Sequence, residues 1–187
     1  MLDPSQVAPE QVRPLRRAEF DRLVALGFFD EDERIELLRG TLVVMTPPGP
    51  THADVVDELV GRIVLALGGR ARVRVQNPLA LSDDSEPEPD IAVVAPGHYR
   101  EEHPRQALLV IEVADSSLNK DRTIKASIYA EAGIPEYWVV DIAARAVEVL
   151  SAPASGVYQR VARRARGEVL VSLQFPEVEI AVSDLFP

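Results

Sequence analysis

The spacing of apolar positions changes along the chain, and each spacing predicts a different element. In THADVVDELVGRIVLALGG, Val55, Val56, Leu59, Val60, Ile63, Val64 and Leu67 recur at helical intervals. Asp54, Asp57 and Glu58 sit early, where acids suit the positive end of the helix dipole. Thr51 is the expected N-cap and Gly68-Gly69 the expected stop. Arg17 to Leu26 is a second, shorter helix closed by Gly27, and residues 1–12, with their prolines and glutamines, are expected to be loose.

Strand signals fill the spaces between. RIELLRGTLVVM (34–45) reads as two β-type runs joined at Arg39-Gly40, a hairpin. RVRVQ (72–76) alternates with period two, giving one buried face and one arginine face, and LAL (79–81) continues it after Pro78. IAVVA (91–95) and ALLVIEV (107–113) do not alternate, which predicts strands buried on both faces. DRTIKASIYAEAGIP is a helix with Asp121 as N-cap, Gly133 just past its end and Pro135 beyond. EYWVVDI (136–142) and AVEVLS (146–151) form a strand pair. Val157–Val161, Glu168–Leu173 and Val178–Ala181 are short strands expected to extend the sheet. The sum is a mixed α/β (α+β) fold: a central β-sheet flanked by helices, an N-terminal helix and hairpin, and a C-terminal β extension.

Composition adds limits. The 187 residues, 47% hydrophobic, suffice for a single domain over 1–187. No apolar run approaches bilayer length, and MLDPSQVAPEQVRPLRRAEF lacks the layout of a signal peptide. There is no cysteine, which excludes disulfides and thiolate metal sites and fits a cytoplasmic location. A net charge of −10 argues against non-specific coating of nucleic acid. The charge is uneven: residues 61–80 hold Arg62, Arg70, Arg72 and Arg74 and no acid, whereas 82–102 hold seven acids and one arginine.

Against that pattern Glu112 stands out. A carboxylate inside LLVIEV costs roughly 2–7 kcal/mol unless it is compensated. Asp90 opens the preceding apolar strand. If the two strands are neighbours, about 4.7–4.9 Å apart, both carboxylates converge. They then need a shared proton or a cation, and hard oxygen ligands suit Mg²⁺ or Mn²⁺. The alternative is a buried Glu112–arginine pair with Asp90 merely ending a turn. Lys120 and Lys125 are the only lysines. A lysine at 125, early in a helix where cations are disfavoured, points to an acidic partner; a local Asp121–Lys125 pair is the alternative. Glu36, between Ile35 and Leu37, reads from the alternation as a solvent-face residue or as a pocket residue. His52 is placed to contact phosphate or assist a metal, or is an ordinary polar residue of a first turn. Gln76 ends the arginine-bearing strand, within reach of a nucleotide edge. Tyr129 is expected to pack on the stem of Lys125, and His98 and His103 to lie in a polar loop. No Gly-rich phosphate loop, HExxH, GxSxG or zinc pattern is present.

Asp90 after Pro89, followed by Glu112 in a strand, resembles the PD-(D/E)XK nuclease superfamily. IELLRGTLVVMTPPGPTH, EPEPDIAVV and LLVIEVADSSLNKDRTIKASIYAEAGIPEYWVVD resemble more closely its Uma-two family of restriction-endonuclease-like proteins, over most of residues 30–150. The resemblance implies a restriction endonuclease-like core of order α-β-β-β-α-β. It implies Mg²⁺ on Asp90, Glu112 and the carbonyl of Val113, with a lysine beside them. The usual position for that lysine is Ala114, so its place passes to Lys125. Glu36 and His52 also fall on positions that the family's motif tends to keep.

The expected function is metal-dependent hydrolysis of DNA phosphodiesters, with Arg62, Arg70, Arg72 and Arg74 contacting the backbone. Nucleases of this shape often form homodimers, although no stripe here marks an interface. Two other classes compete. One is a nuclease-like scaffold that binds a protein or nucleic-acid partner without cutting, which the net charge favours. The other is a metal-free acid/base hydrolase acting on sugars, against which Lys125 argues.

Overall fold

A computed structural model describes residues 12–30 and 32–186, so the segment expected to be loose lies, apart from Val12, outside the described residues. Helix α1 (Arg17–Ala25) precedes a hairpin of β1 (Ile35–Leu38) and β2 (Thr41–Val44), turning at Arg39-Gly40. Gly40 adopts φ 74° against Pro14, whose Cβ lies 2.4 Å from where a Cβ at Gly40 would stand. Only glycine fits both conditions.

Helix α2 (Pro50–Leu67) follows. Its N-cap is Gly49, with Pro50 in the first turn, so Thr51 lies one residue inside rather than capping. Gly68 ends it in the left-handed conformation. Val55, Val56, Leu59, Ile63 and Leu67 form the buried stripe that the spacing predicts, each contributing about 1.5–3 kcal/mol of burial.

The central sheet has six strands in the order β3-β4-β5-β6-β7-β8. They are β3 (Arg72–Val75), β4 (Ile91–Val94), β5 (Leu109–Ala114), β6 (Glu136–Asp141), β7 (Ala146–Ala154) and β8 (Val157–Ala165). Among the described residues only the β5–β6 pair is parallel, and its crossover carries a helical stretch from α3 (Leu118–Lys120) through a π-helical turn (Asp121–Lys125) to α4 (Ala126–Glu131). The run from α2 to β6 has the α-β-β-β-α-β order that the resemblance implies. Every residue of β4, β5 and β6 is buried. One face, with Ile91, Ile111 and Trp138, packs on α2. The other, with Ala92, Val110 and Tyr137, packs on α4.

Three expectations change. LAL (79–81) buries Leu79 and Ala80 but forms no strand. Its backbone bonds go to Pro87 and Pro104 instead of to a strand ladder. Of the tail strands, β8 extends the central sheet, but β9 (Val169–Val171) and β10 (Glu179–Ala181) pair only with each other and lead into α5 (Val182–Leu185). Asp121 does not cap a helix: Ser117 precedes the helical stretch, and Asp121 begins the π-turn within it. Among the described residues, no helix is long and apolar enough to cross a membrane.

Candidate active site

The strand register brings the two predicted carboxylates together. Ile91 of β4 is the partner of Ile111 of β5, and Asp90 and Glu112 are the next residues outward on that antiparallel ladder. Both point to the α4 side and line a cleft of about 410 Å³ at the end of β5. Val113, Gln76, His52 and Lys125 line the same cleft, as do Asp115, Ser117, Lys120 and Asp121.

Lys125 points inward and is only 2% exposed. Its Nζ donates to Glu112 Oε1 at 2.8 Å and lies 2.9 Å from Glu36 Oε2. The π-turn supplies this orientation: it inserts an extra residue into the helical repeat, which places Asp121 and Lys125 on the wall facing β5. The solvated Asp121–Lys125 pair is not formed. Asp121 is buried and receives the Ser117 hydroxyl instead.

Glu36 is fully buried, contrary to the solvent-face alternative. Lys120 Nζ meets its Oε1 at 2.7 Å, so both lysines of the chain end on Glu36. The Glu88 N–H also reaches its Oε2. Glu36 therefore stands behind Lys125, not on the cleft wall.

Asp90 accepts from the Val113 N–H at 2.8 Å and from Gln76 Nε2 at 3.3 Å. His52 Nε2 lies 3.2 Å from Asp90 Oδ2, while the buried Nδ1 of His52 has no partner among the described residues. Gln76 holds φ 49°, a left-handed conformation that costs a non-glycine residue about 1–2 kcal/mol. Tyr129 does more than pack: its hydroxyl donates to Glu112 Oε1 at 2.6 Å. The other oxygen of Glu112, Oε2, receives no hydrogen bond among the described residues.

The electrostatics follow from this crowding. Burial, together with the charges of Asp121, Asp90 and Glu36, outweighs Lys125 and pushes Glu112 up to about 8. Burial also acts against Asp90, but His52, the Val113 N–H and Lys125 overcome it and hold this carboxyl below its usual range. Burial opposes the charge on Lys125 as well, yet Glu112, Glu36 and Asp121 raise it well above an ordinary lysine. The hydrogen bond to Asp90 outweighs burial and raises His52.

Four acids, Glu36, Asp90, Glu112 and Asp121, crowd around the ammonium groups of Lys120 and Lys125, and the raised Glu112 answers that crowding by holding a proton, which a cation at the same oxygen would replace. No three His, Cys, Asp or Glu side chains among the described residues form a metal cage. Asp90 and Glu112 are thus the carboxylates that could take a cation at the cleft, with the Val113 carbonyl as the backbone oxygen that the family resemblance implies. That fits Mg²⁺, which typically takes one or two carboxylates and keeps waters and substrate oxygens.

The sequence reading missed Tyr129 as a hydrogen-bond donor, Asp121 as a buried acid and Lys120 as a second clamp on Glu36. The rarity of lysine in the chain was the available signal for Lys120. The predicted arginines are not gathered at this cleft. Arg62 pairs with Glu58 and Asp184, Arg70 with Glu177, and Arg72 and Arg74 donate to the carbonyls of Gly97 and Pro78.

The family model Uma2, described as "Putative restriction endonuclease", matches residues 17–183. A solved structure titled as that of "a putative nuclease belonging to DUF820 from Anabaena variabilis" is similar over 92% of this chain and 98% of that one. The identity is 19% and the TM-score 0.74, a likeness that shows the same fold. No curated protein matches.

Proposed function

The chain belongs to the Uma2 restriction endonuclease-like family, and on that premise we propose that it is a metal-dependent endonuclease hydrolysing DNA phosphodiester bonds. The observation that carries this reading is the convergence of Asp90, Glu112 and Lys125 on one cleft, with Glu112 Oε2 left without a donor. Asp90, Glu112 and the Val113 carbonyl would hold Mg²⁺ or Mn²⁺. Such an ion supplies Lewis acidity at the phosphate and a nucleophile at neutral pH.

The chain's own groups do the rest. Lys125 stays charged at working pH because three carboxylates surround it, so it serves as a donor and not as a base. Two of its three N–H donors go to Glu112 and Glu36, which leaves one for a water or a phosphate oxygen. Glu36 is a positioning residue: both its oxygens are taken by lysines, and it holds Lys125 against β5. His52, raised by Asp90, can present its unpartnered Nδ1–H to a phosphate oxygen. Gln76 fixes the second oxygen of Asp90.

Plasmid, single-stranded and branched DNA incubated with Mg²⁺, Mn²⁺ or EDTA test this reading. Cleavage should require the metal and disappear in Glu112→Ala. Cleavage that survives Glu112→Ala or EDTA refutes the assignment. A non-catalytic scaffold is the second reading, favoured by the net charge of −10, and wild-type protein that binds but never cuts DNA selects it.

A further inference from the structure

The arginines that the sequence pointed to and those beside the open end of the cleft differ in their partners. Arg62, Arg70, Arg72 and Arg74 are committed to acids or carbonyls of the chain itself. Arg145, Arg163 and Arg166 are exposed, and among the described residues their side chains enter no ion pair or hydrogen bond. Glu148 faces Arg163 across the β7–β8 ladder, but Arg122 takes both its oxygens.

The register places these three arginines relative to the cleft. Cα partners run from Glu112 through Val139 and Glu148 to Arg163, across β5, β6, β7 and β8. Partners in a ladder share a face, so Arg163 lies on the face of Glu112, three strands or about 14 Å away. Ala114, Asp141, Ala146 and Ala165 form the next-but-one row, at the sheet edge where the cleft opens. Arg145 sits in the β6–β7 turn on that edge, and Arg166 follows Ala165 there. β8 is the last strand of the sheet, so its outer side is free of a further strand among the described residues.

We propose that Arg145, Arg163 and Arg166 form a track that binds the phosphate backbone of a DNA strand running from the cleft along this edge. The proposal rests on the nuclease reading and adds where the substrate lies. At 3.4 Å of rise per nucleotide, the distance from Glu112 to Arg163 spans about four nucleotides. Other exposed arginines, Arg22 and Arg100 among them, do not line the cleft, so the three beside its open end give a strand leaving the cleft phosphate contacts in one direction.

The test is fluorescence anisotropy of a labelled 20-base-pair duplex with full-length protein in EDTA, over a series of salt concentrations. The variant Arg145→Ala/Arg163→Ala/Arg166→Ala should bind at least about tenfold more weakly. Its slope of log affinity against log salt should be shallower by about 2–3, near 0.9 for each lost phosphate contact. The corresponding triple lysine variant should restore the slope. A control, Arg22→Ala/Arg100→Ala/Arg105→Ala, changes net charge equally on exposed residues that do not line the cleft and should keep the wild-type slope. Thermal melts check that each variant is folded. A track variant with wild-type slope, or a control that loses as much, overturns the track. If wild type cuts DNA under the same outcome, the nuclease reading stands alone; if wild type neither binds nor cuts DNA, both fall.

Discussion

Glu112 and Glu136 are buried glutamates on neighbouring strands, and their surroundings are opposite. Glu136 is fully buried on β6 and accepts from Trp138 Nε1 and Ser172 Oγ at 2.8 Å and from the N–H groups of Leu173 and Gln174 at 3.1 Å. Those donors close both its oxygens and tie the C-terminal β9 region to the central sheet. Glu112 receives both its bonds, from Lys125 and Tyr129, on one oxygen, and the other belongs to a cleft residue with no donor. Burial of an acid is therefore not what marks a site. What distinguishes Glu112 is an unfilled acceptor that sits beside a second carboxylate, Asp90, and an ammonium, Lys125, on one cleft.

The largest effect should come from exchanging the two. Glu112→Gln should lower DNA cleavage by more than about 10³-fold, beyond what losing one transition-state donor costs, while leaving the fold intact. Glu136→Gln should do the reverse: cleavage per folded molecule is kept, and denaturant melts show a loss of about 2–4 kcal/mol, because an amide N–H then faces backbone donors. Equal damage to activity from both substitutions would break the comparison.

Next is Lys125→Met. Cleavage should fall about 10²–10³-fold. Stability should fall by about 3–5 kcal/mol, since Glu36 and Glu112 lose their shared cation. Adding Glu112→Gln should restore part of that stability but none of the activity. A double variant no more stable than Lys125→Met alone would show that the pair is not coupled.

Glu86 is a third case, buried, not stitched, and away from Asp90 and Glu112. Its only cation is Arg17, 3.7 Å away, and its Oε2 has no hydrogen bond among the described residues. Burial, aided by Asp21, pushes it up to about 7 against the pull of Arg17. Between about 4.5 and 7 the folded chain holds a proton that the unfolded chain releases, so this residue's contribution is complete below 4.5 and is lost as pH rises through 7. Melting temperatures of wild type and Glu86→Gln should therefore diverge between pH 5 and pH 8, with the variant the more stable at the alkaline end. Parallel curves would remove Glu86 from the comparison. The smallest effect should be that of Tyr129→Phe, a loss of about 0.5–1.5 kcal/mol in melts from one hydrogen bond, with Glu112 still held by Lys125.

Local patterns were readable where a residue's neighbours in sequence are its neighbours in space. The α2 stripe, the hairpin at Arg39-Gly40 and the buried runs of β4 and β5 follow from periodicity alone. Asp90 and Glu112 were readable as a pair because adjacent strands leave few other arrangements. Lys125 was readable only as an anomaly of charge; the π-turn that aims it inward has no sequence signature of its own. Long-range partners were not readable. The alternation of RIELL puts Glu36 on the outer face of a hairpin, but the bridge from Leu37 to Glu86 packs that hairpin against the core and buries it. Arg62 and Arg70 looked free because their partners, Asp184 and Glu177, lie more than a hundred residues away. Glu136 looked like an ordinary strand residue for the same reason: two of its four donors come from the backbone of Leu173 and Gln174.

The open oxygen of Glu112, with Asp90, is proposed to form a cation site that Glu136 lacks. Titration calorimetry of Mn²⁺ into wild type, Glu112→Gln and Glu136→Gln tests it most directly. Wild type and Glu136→Gln should give a binding isotherm that disappears in Glu112→Gln. No heat from wild type, or an unchanged isotherm in Glu112→Gln, contradicts it.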